Sequence, residues 1–146
     1  MDKKFIGFCQ RVSIPFARTA LFVIFFWFGL LKVWGLSPAG EMVENLFMQT
    51  IPFMSFDIFL VLFGLFEALI GILFLIKGQE RLVIVLLFLH MVTTFMPLFL
   101  LTGETWSGFL VPTMEGQYII KNLLVIAAAL GIAAQLHPVR TLREMI

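Results

Sequence analysis

The chain has 146 residues, of which 61% are hydrophobic, and its mean hydropathy is +1.05. A soluble globule of this size needs more polar surface than this composition supplies, so a soluble single-domain protein is excluded. The net charge of +1 and the lack of a basic stripe argue against a nucleic-acid partner. With a single cysteine, Cys9, the chain has no internal disulfide and no CxxC relay.

Four apolar stretches predict four membrane-spanning helices. Each stretch is about 20 residues long, which is the length that an α-helix needs to cross about 30 Å of hydrocarbon. We therefore predict an all-α fold, an integral membrane four-helix bundle that forms a single transmembrane domain over residues 1–146. The helices are predicted at about residues 14–34, 56–76, 82–101 and 118–136.

The distribution of basic residues predicts the orientation of these helices. The N-terminal segment, the loop between the second and third stretches and the C-terminal tail all carry Lys or Arg. The other two loops are acidic. Because basic segments stay on the cytoplasmic side, we predict that both chain ends are cytoplasmic, an N-in/C-in topology.

The two outer loops differ in their predicted structure. In the first, Ser37 suits the N-cap and Pro38 the first turn of a helix. Apolar residues at helical spacing then alternate with acidic ones, which predicts an amphipathic helix on the membrane surface. An ordinary packed loop is the alternative. The other outer loop is the third loop of the chain, residues 102–117. It contains Gly and Pro and is predicted to be irregular.

Glu67 is the most informative polar residue within the predicted spans. A charge at the membrane midplane costs about 2.5–3.5 kcal/mol on insertion scales, so Glu67 must face the bundle and find a partner. At 1.5 Å per residue, His90 on the next helix lies at nearly the same depth. We predict that the two side chains pair directly or through one water. Thr93 and Thr94 continue the His90 face and complete a midplane pocket.

The predicted Glu67–His90 pair has a structural interpretation and a functional one. A buried pair can hold two helices together, and with His90 as its only partner Glu67 is predicted to tolerate replacement by Leu. Ionisable groups inside a membrane also mark proton or substrate sites. One His and one Glu are too few ligands for zinc, so no metal site is predicted. Haem ligation by His90 is a further alternative.

A second group of polar residues lies at the outer helix ends. Lys32 ends the first helix and is predicted to snorkel towards the head groups or to form a surface ion pair. Lys121 lies in the first turn of the fourth helix and is predicted to face the protein interior or the head-group boundary of the first helix and to contact an acidic or amide group. No catalytic residue is assigned. The candidates for ligand binding or proton relay are Glu67, His90, Thr93, Thr94, Lys121, Asn122, Lys32 and Gln117.

Three segments resemble motifs of the DoxX-like family of bacterial inner-membrane proteins. Residues 18–32 resemble its R…WFGLLK signature, and residues 64–71 resemble its G–E–GG helix with part of the glycine-rich stretch replaced. Residues 115–122 are similar to the GQ(F/Y)–KN start of helix 4 in the subgroup of reactive-chlorine-resistance membrane proteins. The matching positions are Arg18, Trp27, Gly29, Lys32, Glu67, Gly71, Gln117 and Lys121.

This resemblance implies a four-helix bundle of the bacterial cytoplasmic (inner) membrane that takes part in a redox or oxidative-stress system. A quinone held by the Glu67–His90 pocket is the cofactor that it suggests. The sequence has no nucleotide or flavin motif, so electrons would come from a redox-protein partner or a bound quinol. Two alternatives stay open: a small proton-linked transporter or lipid- or solute-binding protein, as a homodimer, and a structural anchor for a soluble enzyme. Whether the protein is an enzyme stays open.

Overall fold

The computed structural model describes residues 2–51 and 53–136. Within them the chain is mostly helical. The elements are α1 (Asp2–Val33), α2 (Gly40–Thr50), α3 (Phe56–Leu75), α4 (Glu80–Phe95), α5 (Pro97–Leu100), α6 (Thr102–Thr105), β1 (Trp106–Gly108), β2 (Val111–Pro112), α7 (Met114–Lys121) and α8 (Leu123–Ala133).

Four helical segments of the described chain are long and apolar enough to cross a membrane. They run over Lys3–Val33, Phe56–Leu75, Glu80–Leu100 and Met114–Ala133. The third combines α4 with α5 and the fourth combines α7 with α8. The four spans match the predicted stretches, except that the first helix begins at Asp2 rather than near residue 14.

The apolar core draws on all four long segments. The most extensive helix contact is between α1 and α3, and α8 packs on both α1 and α4. Burial of these side chains against one another leaves many large apolar residues on the outer surface, as in a chain whose solvent is lipid. The buried core residues are Leu21, Phe25, Ile70, Phe74, Val83, Leu87, Met91, Val125, Ala129 and Ile132.

Glycine allows the backbones of α1 and α3 to touch. A Cβ atom added to Gly64 would lie 2.5 Å from the carbonyl oxygen of Gly29, and one added to Gly71 would lie 2.7 Å from the backbone nitrogen of Phe26. No larger residue fits at such a contact without moving a helix. The crossing therefore fixes which residues of α1 and α3 share a level, and it places Lys32 beside Gly64.

Because α1 ends at Val33, level with Gly64, the first turns of α3 extend about 12 Å beyond it. The chain turns at Gly35, whose φ of +68° favours glycine, and α2 then packs beside those turns. Phe47 of α2 is buried, with its ring centroid 4.8 Å from that of Phe59. The predicted helix in this loop is present. It begins at Gly40 with Ala39 as its N-cap, so the capping role predicted for Ser37 is wrong.

The third loop is ordered, so the irregular structure predicted for it is wrong, while the chain remains mostly helical as predicted. Strands β1 and β2 pair antiparallel, with Trp106 opposite Pro112. The loop satisfies its own polar groups, since the Thr113 hydroxyl accepts a hydrogen bond from the Gly116 N–H and donates one to the Glu104 carbonyl. Asn45 donates to the Glu104 carboxylate over 2.9 Å, which joins α2 to α6.

Candidate functional site

Four polar side chains from three helices form one hydrogen-bonded group, which we call the buried quartet: Lys32, Glu67, His90 and Thr94. The Lys32 ammonium donates to Glu67 Oε2 over 2.5 Å, and His90 Nε2 lies 2.7 Å from Glu67 Oε1. His90 Nδ1 lies 3.1 Å from the Thr94 hydroxyl. Lys32, Glu67 and His90 are 8%, 5% and 5% exposed. The predicted contact between Glu67 and His90 is present.

The snorkelling or surface ion pair predicted for Lys32 is wrong, because this side chain is buried and points into the protein, where it pairs with Glu67. Side chains of an α-helix lean towards its N-terminus, and α1 and α3 are antiparallel. Lys32 and Glu67 therefore lean towards each other along the crossing. Gly64 leaves room for the stem of Lys32, since a Cβ at position 64 would lie 2.9 Å from the Lys32 Cβ.

Aromatic rings enclose the imidazole of His90. Phe63 stacks on it at a centroid distance of 5.2 Å and an interplanar angle of 11°, and Phe25 meets it edge-on at 5.4 Å. The Lys32 ammonium lies 5.6 Å from the centroid of Phe63. These rings hold the imidazole in one plane and provide a cation–π contact for the lysine.

The ring stack continues from the quartet to α2. Phe59 stacks on Phe63 at 5.5 Å, and Phe47 of α2 lies 4.8 Å from Phe59. A continuous row of rings thus connects His90 to the helix that covers this end of α3. The sequence analysis gave the phenylalanines no role, because their abundance in an apolar chain hides the three that are aligned.

The quartet is electrostatically balanced. With Lys32 and Glu67 charged and His90 neutral, its formal charge is zero. A buried carboxylate without partners would be strongly unfavourable, and here both of its oxygens accept hydrogen bonds. Among the described residues, no buried side-chain nitrogen or oxygen lacks a hydrogen-bond partner.

The hydroxyl of Thr94 gives the quartet two proton arrangements. Its oxygen lies 3.1 Å from His90 Nδ1 and 3.1 Å from the His90 carbonyl oxygen. When His90 carries one ring proton, on the Nε2 that faces Glu67, the hydroxyl donates to Nδ1. When His90 carries two, Nδ1 donates to the hydroxyl, which rotates to donate to the carbonyl. At these distances the Thr94 hydroxyl can serve His90 Nδ1 either as a donor or as an acceptor.

The remaining predicted site residues lie outside the quartet. The Thr93 hydroxyl donates to the His90 carbonyl, and Asn122 donates to two carbonyls of its own helix. Gln117 is exposed. Lys121 is also exposed, and its ammonium lies over the Tyr118 ring at 4.8 Å rather than on an acidic or amide group, so that prediction is wrong.

Lys121 is exposed because α7 buries the opposite face of its helix. Gly116 and Ile119 are its buried residues and are separated by three positions, so they share one side of the helix. Lys121 falls on the opposite, exposed side of α7. In the sequence, Lys121 lies one helical turn from Gln117. Both residues lie on the exposed face of α7, so this spacing did not indicate which face is buried.

A second ion pair fixes the far end of the α1–α3 contact. The Arg18 guanidinium donates to the Glu80 carboxylate over 2.6 Å and to the Ile76 carbonyl over 3.1 Å. Both charged side chains are partly buried. Arg18 thus connects α1 to the turn between α3 and α4. The sequence analysis did not predict this pair.

Replacing Thr94 with Val is expected to destabilise the protein by about 1 kcal/mol, because His90 Nδ1 loses its hydrogen-bond partner. Thr93→Val is the matched control, since the Thr93 hydroxyl bonds to the backbone only. Unfolding in detergent measures the stability, and ¹⁵N NMR of the imidazole measures its protonation pattern. Identical imidazole spectra for the Thr94 variant and the unmodified protein would contradict the proposed proton arrangements.

The quartet dominates the polar interior of the described chain. Among the described residues, the buried polar or charged side chains are Lys32, Glu67, His90 and Thr105, and the first three belong to it. The described residues contain no cluster of three His, Cys, Asp or Glu side chains that could hold a metal ion. Comparisons with protein-family models, with curated proteins and with solved structures found no match for this chain.

Proposed function

We propose that the chain is a multi-pass protein of the bacterial inner membrane and a membrane component of a redox or oxidative-stress system. In this proposal the four spans form a bundle with both chain ends in the cytoplasm, and the end that carries α2 faces outwards. The buried quartet is the observation that carries the proposal. Charged and titratable side chains at such depth are costly, and in membrane proteins they mark proton and substrate sites.

The DoxX-like resemblance supports this assignment through particular residues. Lys32 and Glu67 come from two separate motifs and are hydrogen-bonded to each other. Gly29 and Gly71, also motif positions, lie at the backbone contact that brings those helices together. These four motif positions therefore belong to one contact between α1 and α3.

A quinone head group is the ligand class that the quartet suits best. Its carbonyl oxygens need hydrogen-bond donors, and the Lys32 ammonium has N–H groups beyond the one that it donates to Glu67. Its reduction to a quinol takes up two electrons and two protons. A redox-protein partner would supply the electrons, while His90 would pass protons to the reduced ring. Phe63 and Phe25 offer aromatic surface beside the imidazole.

We place the access route to the quartet under α2. Phe47, Phe59 and Phe63 form the ring stack between α2 and His90. The hydrogen bond from Asn45 to Glu104 holds α2 against the third loop. Displacement of α2 would expose the ring stack first and the quartet next.

The proposal predicts that a short-chain benzoquinone binds the purified protein and that binding depends on the quartet. The double variant Lys32→Met/Glu67→Leu removes both charges together and is expected to weaken binding at least tenfold, because the donors and the proton path are lost. Lys121→Gln is the matched control, since Lys121 is exposed and lies outside the quartet. Isothermal titration in detergent measures the affinity. Equal binding by all three proteins would contradict the proposal.

A proton-linked transporter is the second candidate, and the two hydrogen-bond arrangements of Thr94 favour it. A site that holds a proton in either of two states is suited to coupling proton movement to solute movement. Native mass spectrometry of the purified protein separates the candidates. A bound quinone supports the redox role, and a bound lipid or solute on a homodimer supports transport. A tightly bound soluble enzyme with no small ligand supports a structural anchor.

A further inference from the structure

The first twelve residues of α1 project beyond the rest of the described structure. Arg18 donates to the carbonyl of Ile76, which places it level with the end of α3. Ile14 and Ala17 are the first residues of α1 that pack against the core. At 1.5 Å per residue, residues 2–13 therefore extend roughly 18 Å beyond the level of Ile14.

The projecting segment is longer than a membrane span requires. The apolar helix from Lys3 to Val33 has 31 residues. A helix of that length measures roughly 46 Å, whereas the hydrocarbon core is about 30 Å thick. A part of roughly ten residues must lie outside the hydrocarbon or be strongly tilted. Pro15 marks the boundary, because it removes one helical hydrogen bond and allows the helix to bend.

This segment is amphipathic. Phe5, Phe8, Val12 and Phe16 recur at helical spacing and are 69%, 61%, 39% and 74% exposed. At 100° per residue they fall within one sector of about 80°, which we call the apolar stripe. The residues on the remaining sides include Lys3, Lys4, Gln10 and Arg11, all of which are exposed.

We propose that residues 2–13 of α1 form a docking surface for anionic phospholipids and lie in the head-group layer with the apolar stripe towards the acyl chains. An apolar stripe of this size is unfavourable in water. Its basic flank complements a negatively charged leaflet, and a basic amphipathic helix is the kind of segment that such a surface binds. The stripe also runs directly into a membrane span, so lipid is the nearest apolar phase. The proposal does not depend on the function of the quartet.

Cys9 allows a direct test, because it is the only cysteine of the chain and borders the apolar stripe. The full chain carries an environment-sensitive fluorophore on Cys9 and is reconstituted into vesicles of phosphatidylcholine, with or without phosphatidylglycerol. Nitroxide-labelled lipids quench the fluorophore from the acyl side, and acrylamide quenches it from water. A Cys9→Ser/Gln10→Cys variant places the same fluorophore on the polar side as the matched control.

In vesicles with phosphatidylglycerol we expect the label on Cys9 to be quenched by the nitroxide lipids and shielded from acrylamide. The control label should show the reverse. Each basic residue near an anionic surface contributes about fivefold to the ratio of docked to free segment. Reversal of Lys3, Lys4 and Arg11 to Glu should therefore reduce lipid quenching at Cys9 to the level of the control. Lys77→Glu, an exposed lysine outside the segment, should leave it unchanged.

Three results would overturn the proposal. The first is a Cys9 label that acrylamide reaches in vesicles with phosphatidylglycerol. The second is a label shielded from both quenchers, which would mean that residues 137–146 or a second protein chain covers the stripe. A quenching pattern that is unaffected by the three charge reversals would show that the basic flank does not bind the anionic surface, and would equally contradict the proposal.

Discussion

Replacement of Glu67 with Ala is expected to destabilise the protein by about 3–5 kcal/mol, the largest effect of any single substitution considered. The loss of this carboxylate leaves the Lys32 charge buried without a counter-ion, and breaking one side of a buried pair costs about this much. His90 loses its partner at the same time. Reversible unfolding in detergent micelles, followed by circular dichroism, measures the difference.

Two further variants are compared with Glu67→Ala in the same measurement. Lys32→Met/Glu67→Leu should recover the part of the loss that comes from the unpaired Lys32 charge, because well-packed apolar residues often replace a buried ion pair without penalty. Lys121→Ala should change the stability by less than about 0.5 kcal/mol, as an exposed side chain does. If Glu67→Ala were as stable as the unmodified protein, the ion pair to Lys32 would not exist in the folded state.

Gly64→Ala is expected to destabilise the protein by about 1–3 kcal/mol, since the added methyl overpacks the closest contact between α1 and α3. The new Cβ would lie 2.5 Å from a backbone oxygen of Gly29, so the whole helix has to move. The same movement should separate Lys32 from Glu67. We therefore expect Lys32 to become more reactive towards a small amine-modifying reagent, as measured by peptide mass spectrometry.

Gly131→Ala is the matched control for this substitution. Gly131 also lies within a helix, but a Cβ added there meets no atom within 4 Å. The substitution should be neutral or slightly stabilising, because alanine is the better helix former. If the two alanine variants had equal stability and equal Lys32 reactivity, the close contact between α1 and α3 would be disproved.

The sequence predicted the parts of the site that follow from helix depth. Span length located the long helices, and counting residues from their ends brought Glu67 and His90 to one level. Depth alone does not tell which way a lysine at a helix end turns. Lys32 turns inwards because Gly29 and Gly64 allow the backbones to touch, and that contact depends on two residues 35 positions apart in the chain.

The contact between Lys32 and Glu67, which the sequence did not reveal, changes the expected result of replacing Glu67 with Leu. With His90 as its only partner, Glu67 could be replaced by Leu without strain, as the sequence analysis predicted. Lys32 makes that single replacement unfavourable, since it would leave a buried ammonium among apolar side chains. The ordered hairpin of the third loop was not predicted either, because it depends on hydrogen bonds from the side chains of Trp106 and Thr113 to backbone carbonyls eight and nine residues away, which no turn motif indicates.

The most direct test of the proposed role of the quartet is ¹⁵N NMR of His90 in lipid bilayers, recorded with and without the short-chain benzoquinone. The other histidine of the chain, His137, serves as an internal reference. We predict that the free protein shows a proton on Nε2 facing Glu67, and that the quinone shifts both ring nitrogens of His90 and leaves those of His137 unchanged. His90 resonances that stay unchanged at saturating quinone would contradict the proposal that the quartet binds this ligand.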